Sequence, residues 1–151
     1  MISPYKDNVT GAEFGLSCTS IGKNAFYYCE SLKKVTIGNG VKYIGEWAFA
    51  DTSLTSITIP DNVTSIYSYA FNYCTSLTDI TIGKRVNNIS DYSFEHCYNL
   101  EHITVDPDNK TYDSRDNCNA LIGTYNNKLK VASNNTTVIP DTVKTIASYA
   151  F

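Results

Sequence analysis

The sequence has little charge and no long apolar run, and each shortage excludes a class of protein. Charged residues make up 18% of the chain, and 12 Lys and Arg against 15 Asp and Glu leave a formal net charge of −3. Nucleic-acid-binding domains usually carry a basic excess, so we expect no nucleic-acid partner. No window approaches the roughly 18 consecutive apolar residues that span a bilayer, so we expect no membrane insertion.

Histidine is equally scarce, which leaves few residues for metal or catalytic chemistry. His96 and His102 are the two histidines of the chain, and neither has a second metal ligand beside it at the spacing of a known metal motif. The sequence also lacks a nucleophile elbow and a phosphate-binding glycine loop. We therefore predict no enzymatic activity, no catalytic or metal-binding residue, and no cofactor.

The five cysteines are an odd number, which a disulfide framework alone would not use. Cys29, Cys74 and Cys97 each follow a repeated phenylalanine by three residues. They could form a ladder of thiols for metal or redox work, or they could pack as small buried hydrophobes. We favour buried structural thiols, because side chains in one column of a stack point the same way and their Cβ atoms stay farther apart than a disulfide prefers.

What the sequence does contain is an internal repeat, which decides the fold. The motif Ile-x-x-x-Ala/Ser-Phe recurs with a period of 22 or 23 residues and ends at Phe26, Phe49, Phe71 and Phe94, and once more at Phe151. A second block, Leu-x-x-Ile/Val-x-Ile/Val, keeps step with it and alternates apolar and polar residues as a half-buried strand does. One such unit cannot bury its apolar side alone, so stacked copies are required.

The unit L-x-x-I-x-I-P-x-x-V-x-x-I-G-x-x-A-F-x-x-C resembles the BspA-like, or treponemal-type, leucine-rich repeat over residues 19–112 and again over 135–151. We expect an α/β repeat solenoid with one curved parallel β-sheet and short helical or 3₁₀ turns opposite. The resemblance implies a secreted or cell-surface protein that adheres to host or neighbouring-cell glycoproteins. The first residues show no basic stretch followed by an apolar segment, so from the sequence alone the chain is intracellular or an internal piece of a longer one.

The repeat divides the predicted single domain, residues 1–151, into four parts. We expect a degenerate N-terminal cap at 1–20, four regular repeats at 21–112, an irregular unit with a hairpin at 113–134 and an incomplete last repeat at 135–151. In the cap, Ala12 takes the place that Val35 has in the next unit. The acidic stretch 106–110 lacks the glycine and glutamate of a calcium loop, so we interpret it as a polar turn.

The outward side of the predicted strands is the first candidate partner-binding surface, because solenoids commonly bind partners on their extended sheet. One of its two columns repeats threonine, for which we favour the plain role of an exposed strand residue that pairs laterally. The other column varies from unit to unit and is the better candidate for contacts. The residues of this strand face are Lys34, Thr36, Ser56, Thr58, Asp79, Thr81, His102 and Thr104.

A column of aromatic residues two positions before the repeated phenylalanine is the second choice. Tyrosine and tryptophan are enriched at binding hot spots, so such rings could hold a protein or a sugar. They could equally cover the backs of the turns and pack on each other, which we favour. This aromatic column consists of Trp47, Tyr69, Tyr92 and Tyr149.

From these features we predict a non-enzymatic module that binds a protein or glycoprotein. The alternative is a structural spacer, or a self-assembling unit whose copies stack end to end. The last repeat would supply the contact surface for such stacking, because a solenoid that stops at Phe151 leaves apolar core and strand edges unsealed.

Overall fold

The structure is a computed structural model that describes residues 8–151. Residues 1–7 of the predicted cap lie outside this part of the chain. The strands of the described part are short: β1 (Gly11–Glu13), β2 (Ser20–Ile21), β3 (Lys34–Thr36), β4 (Tyr43–Ile44), β5 (Ser56–Ile59), β6 (Ser65–Ile66), β7 (Asp79–Ile82), β8 (Asn88–Ile89), β9 (His102–Val105), β10 (Tyr112–Asp113), β11 (Ala120–Gly123), β12 (Lys128–Ala132) and β13 (Thr145–Ile146).

Each repeat contributes two strands, so the stack has two parallel faces and not the single sheet that we predicted. Strands β5, β7 and β9 pair in order on one face, where β1 also pairs with β3, and β2, β4, β6 and β8 form the other face. All of these pairings are parallel. The second face arises because the Val-x-x-Ile segment of each unit also extends and bonds to its equivalents. The repeat solenoid itself is confirmed.

The register aligns equivalent residues of successive repeats. Ile57 pairs with Ile80, and Ile80 pairs with Ile103. In the cap, Ala12 pairs with Val35, as the sequence predicted. A one-residue slip would turn every buried isoleucine outward, so the repeat pattern fixes the register.

Stacked phenylalanine rings run through the middle of the core. The ring centroids of Phe26 and Phe49 are 5.4 Å apart, those of Phe49 and Phe71 are 5.4 Å apart, and those of Phe71 and Phe94 are 5.1 Å apart. The planes of each pair lie within 13° of parallel. Phe49 and Phe71 are fully buried. This phenylalanine column, Phe26, Phe49, Phe71 and Phe94, therefore ties the four repeats together.

The segments that carry these phenylalanines are tight turns, so the predicted helical turns are wrong. Within residues 9–151 the one helical segment is a 3₁₀ turn at Arg115–Asn117. Trp47 and Tyr69 have φ of 57° and 60°, in the left-handed region that interrupts a helix. The backbone N–H of Phe49 donates to Ala70 O of the next repeat at 2.8 Å. A helix would use such amides internally, and here they join one repeat to the next.

After β9 the regular stack is interrupted by an antiparallel hairpin of β11 and β12, in the region where we predicted one. β10 pairs antiparallel with β11, and β12 pairs parallel with β13 of the last unit. The buried Asn109 anchors the start of this segment, since its Nδ2 donates to Gly83 O and Val86 O while its Oδ1 accepts from two amides. The stretch 106–110 is a turn, as expected.

The last unit departs from the repeat. Residues 137–139 mirror the strand sequence of 57–59, yet they form no strand, and Val138 is 67% exposed. The preceding residues explain the difference, because the side chains of Asn134 and Asn135 donate to Tyr98 O and Glu101 O and fix the chain beside the fourth repeat. Only β13 of this unit joins a sheet among the described residues.

Candidate partner-binding surfaces

The strand face presents polar side chains in register on three consecutive paired strands. Ser56 lies opposite Asp79, and Asp79 lies opposite His102. The threonine column runs beside them, with Thr58 opposite Thr81 and Thr81 opposite Thr104. The structure therefore gathers most of the predicted face into one continuous surface.

Asp79 and His102 make a polar contact at the centre of this face. His102 Nδ1 lies 3.2 Å from Asp79 Oδ1, and both side chains are about half exposed. The hydroxyl of Thr78 donates to Asp79 Oδ2 at 2.6 Å. The carboxylate is thus oriented from two sides, which lowers the entropy cost of using it to bind a partner.

The remaining two residues of the face, Lys34 and Thr36, stand on the other side of a gap. β3 pairs with β1 and not with β5, so the ladder is broken between them. A depression of about 290 Å³ lies at the break, lined by Lys34, Thr36, Ser56, Thr58 and Pro60 among others. The strand face is therefore a ridged surface that could admit a side chain of a partner.

The aromatic column is a stack of rings. Trp47 and Tyr69 are 4.3 Å apart between centroids with planes at 15°, and Tyr69 and Tyr92 are 5.5 Å apart at 13°. Tyr149 is tilted by 57° against Tyr92 and is 63% exposed. The first three rings are half-buried against one another. Their faces are largely used by their neighbours, which favours the packing role over a contact role.

The cysteine column satisfies backbone carbonyls. Cys74 Sγ donates to Phe49 O at 3.1 Å, and Cys97 Sγ donates to Phe71 O at 3.2 Å. Thr52 stands in the same column and donates its hydroxyl to Phe49 O. Burial raises the pKa of the Cys74 thiol to about 11. These are structural thiols, as predicted, and a thiol with so high a pKa is a poor nucleophile or metal ligand.

Sequence reasoning missed an aromatic cluster beside the aromatic column. The rings of Tyr73 and His96 are 4.2 Å apart, and His96 Nδ1 lies 2.5 Å from Tyr98 Oη. Glu95 Oε1 lies 3.5 Å from His96 Nε2. The available signal was the position of His96, which is equivalent to Tyr28 and Tyr73 in earlier repeats.

Sequence reasoning also missed the polar contacts that hold the irregular unit to the stack. The carboxylate of Asp91 accepts hydrogen bonds from Lys128 Nζ and Lys130 Nζ. Burial raises the pKa of Asp91, but the hydrogen bonds from the two lysines outweigh burial and hold the pKa below its ordinary value. Arg115 donates to both oxygens of Asp113 and, through Nη1, to Asn127 and Thr142. None of these pairs follows from the repeat pattern.

Within residues 8–151, no group of three or more His, Cys, Asp and Glu side chains is placed to hold a metal ion. Among the same residues no helix has the length and apolar character needed to cross a membrane.

Comparison with known proteins places these features in a family. A family model described as the BspA type leucine rich repeat region matches residues 4–121 in six copies. A search of the curated proteins finds no significant match to this chain.

Solved structures of bacterial leucine-rich repeat proteins are similar to the chain. A leucine-rich repeat protein from Eubacterium ventriosum is 28% identical over 97% of this chain, with a TM-score of 0.73. The Treponema pallidum leucine rich repeat protein is 27% identical over 62% of this chain, with a TM-score of 0.60. The match covers 45% of the first protein and 44% of the second, so this chain spans less than half the length of either. The pneumococcal vaccine antigen PcpA, 20% identical over 94% of this chain and matched over 42% of its own length with a TM-score of 0.70, shares the fold.

Proposed function

Because this chain belongs to the BspA-type leucine-rich repeat family, we propose that it is a non-enzymatic module that binds a protein or glycoprotein through its strand face. The observation that carries the proposal is the exposed column of Lys34, Ser56, Asp79 and His102, whose chemistry changes at every repeat while the core beneath it stays the same. A face of this kind can be altered one residue at a time without disturbing the stack. Extended repeat surfaces are used in this way to bind macromolecules.

We place the binding outside the cell and interpret it as adhesion. The support is the resemblance of the repeats to those of surface proteins that adhere to glycoproteins. Interface residues that differ in charge and size along one face give specificity, since each can match a different group of the partner.

The test is a binding screen on immobilised extracellular-matrix glycoproteins, each presented intact and after enzymatic removal of its glycans. The variant Lys34→Ala/Asp79→Ala/His102→Ala removes the charged and titratable contacts of the strand face. Its matched control is Asp141→Ala/Lys144→Ala, which removes two exposed charges from the last unit. We expect the first variant to lose binding by about tenfold or more and the control to keep it. Equal binding by both variants would overturn the strand face as the contact surface.

A second candidate function is end-to-end assembly, which the last unit favours. Val138, Ile146 and Phe151 are 67%, 51% and 72% exposed. Exposed apolar side chains favour association, because burying them against another chain removes them from water. The test is light-scattering mass over a hundredfold concentration range, comparing the chain with a version extended by a polar capping repeat and with Ile146→Thr/Phe151→Ser. Association that disappears in both altered chains supports assembly, and a monomer at every concentration excludes it.

A further inference from the structure

A cavity of about 280 Å³ lies between the fourth repeat and the last unit. It is lined on one side by residues of the segment 94–100 and on the other by residues of 131–136 and 149–151. Phe151 also lines the cavity and is 72% exposed.

Aromatic rings supply one part of the cavity wall. Tyr98 is 59% exposed, Tyr149 is 63% exposed, and both line the cavity together with His96 and Phe151. The rings of His96 and Tyr149 are 6.2 Å apart, and those of His96 and Tyr98 are 5.3 Å apart. His96 already contacts Tyr73, whose ring centroid lies 4.2 Å from its own, so the exposed rings of Tyr98 and Tyr149 are the ones that a ligand could reach.

Uncharged polar groups supply another part of the cavity wall. Asn134 Nδ2 is already used, because it donates to Tyr98 O at 2.7 Å, and this bond orients the amide group and leaves its Oδ1 as an acceptor. Ser133, Thr136 and Tyr98 also line the cavity, where the Tyr98 hydroxyl lies 2.5 Å from His96 Nδ1 and the Ser133 hydroxyl accepts from Asn135 N. Hydroxyls both donate and accept hydrogen bonds, so they can match hydroxyl groups of a ligand.

None of the side chains that line the cavity in the described part of the chain is an Asp, Glu, Lys or Arg. An anion or a cation would lose hydration there without gaining an opposite charge, which is costly. The cavity therefore suits a neutral ligand with both apolar faces and hydroxyl groups.

We propose that this cavity binds a neutral saccharide residue. The C–H groups on the faces of a sugar ring pack against the negative faces of aromatic rings, while its hydroxyls bond to amide and hydroxyl groups. The volume is at the lower end of ligand sites, which suits one sugar unit at the end of a glycan. This cavity is a second site, built from other residues than the strand face, and does not depend on it.

The test is an NMR titration of the ¹⁵N-labelled chain with methyl glycosides of glucose, galactose, mannose and N-acetylglucosamine. N-acetyltyrosinamide serves as a peptide-like probe, and N-acetylneuraminic acid serves as a charged sugar. We expect at least one neutral glycoside to shift the amide signals of residues 94–100 and 131–136 in a saturable manner. We expect N-acetylneuraminic acid to produce no saturable shifts.

Variants assign the shifts to the cavity. Tyr98→Ala is expected to weaken binding about tenfold, and Tyr98→Phe, which keeps the ring, is expected to weaken it less. Tyr125→Ala is the control, because Tyr125 is 85% exposed and does not line the cavity. Urea unfolding checks that each variant keeps its fold. If Tyr98→Ala unfolds, Asn134→Ala replaces it, and we expect that variant to weaken glycoside binding as well.

Three outcomes would overturn the proposal: no saturable shift with any neutral glycoside, equal affinity in Tyr98→Ala and Tyr125→Ala, or tighter binding of N-acetyltyrosinamide than of every sugar. Glycoprotein binding that survives Tyr98→Ala but not the strand-face variant would leave the proposed function intact. The two proposals can therefore fail separately.

Discussion

The thiol of Cys74 donates a hydrogen bond to the backbone carbonyl of Phe49, which lies one repeat earlier, at 3.1 Å. A single side chain thus joins two coils and satisfies a buried acceptor whose loss would be costly. Thr52, at the equivalent position of the earlier coil, donates to the same carbonyl. The cysteine position therefore carries a hydrogen-bond donor in both coils, although Thr52 bonds within its own coil and Cys74 bonds to the preceding one.

We predict that Cys74 reacts slowly with iodoacetamide in the native protein. Its pKa of about 11 makes the thiolate about a hundredfold rarer at pH 8 than that of an ordinary cysteine, and burial slows access further. Peptide mass spectrometry over time should find Cys18, which is only half-buried, modified well before Cys74. In urea the two should react alike, and equal rates in the folded chain would contradict this prediction.

We predict that Phe71→Ala destabilises the chain by about 3–5 kcal/mol. The ring is fully buried between Phe49 and Phe94, so truncation leaves a cavity that the stack cannot close. Urea unfolding followed by circular dichroism measures the change. Phe151→Ala is the matched control and should change stability by no more than about 0.5 kcal/mol, because that ring is 72% exposed. A cost for Phe71→Ala below about one kcal/mol would remove the phenylalanine column as the centre of the core.

We predict that Asp91→Asn loosens the irregular unit. The substitution removes a carboxylate that accepts from Lys128 and Lys130, and the expected cost is about 1–2 kcal/mol because the group is partly exposed. Hydrogen exchange of residues 120–132 should rise more than that of 57–82. Asp141→Asn, which changes an exposed carboxylate of the last unit, should leave the hydrogen exchange of both segments unchanged.

The carboxylate of Asp91 also makes the free energy of unfolding depend on pH. The pKa of Asp91 is lower in the folded chain than in the unfolded chain, so its contribution is fully present above the ordinary pKa of aspartate. It is lost as the pH falls through the lower, folded value. Unfolding of the wild-type chain and of Asp91→Asn should therefore differ at neutral pH and converge in acid. A difference that stays constant into strong acid would show that the charge of Asp91 does not hold the hairpin.

We predict that Arg115→Lys weakens the contact between the irregular unit and the last unit. Lysine cannot reproduce the two parallel bonds to Asp113 together with the bonds to Asn127 and Thr142. Exchange of the amides of Asn127 and Lys144 should increase, since Lys144 N donates to Asn127 O. Arg85→Lys is the control, because Arg85 is exposed and its Nη1 contacts only Asn62 among the hydrogen bonds of the described residues. Equal increases in the two variants would contradict the role of Arg115.

The sequence predicted the parts of the fold that the repeat encodes. The alternation of Val35, Ile57 and Ile80 with polar neighbours specified the strand face, and the spacing of the cap placed Ala12 beside Val35. It failed at the turns, because nothing in an aromatic side chain indicates that Trp47 and Tyr69 adopt positive φ. That conformation is stabilised by amides bonded to the next repeat, a contact that exists only once the units are stacked.

The candidate surfaces were predictable to a similar extent. Asp79 and His102 were assigned to one face by periodicity, and they lie 3.2 Å apart on it. The cavity was not predictable, since it joins Tyr98 of a regular repeat to Asn134 of an irregular segment. The irregular segment does not follow the repeat, so its sequence does not indicate which residues of the regular repeats it will contact.

The end of the phenylalanine column at Phe94 has a mechanical consequence. Up to that ring, ring stacking and strand ladders join the repeats together with exposed ion pairs such as Lys23–Glu46 and Lys84–Asp61, and the stacking and the ladders respond little to salt or acid. Beyond it, charged contacts such as those of Asp91 and Arg115 take a larger share, and these weaken when carboxylates are protonated. We expect a pull along the stack to part the molecule first at this junction, and to do so at lower force in acid or at high salt.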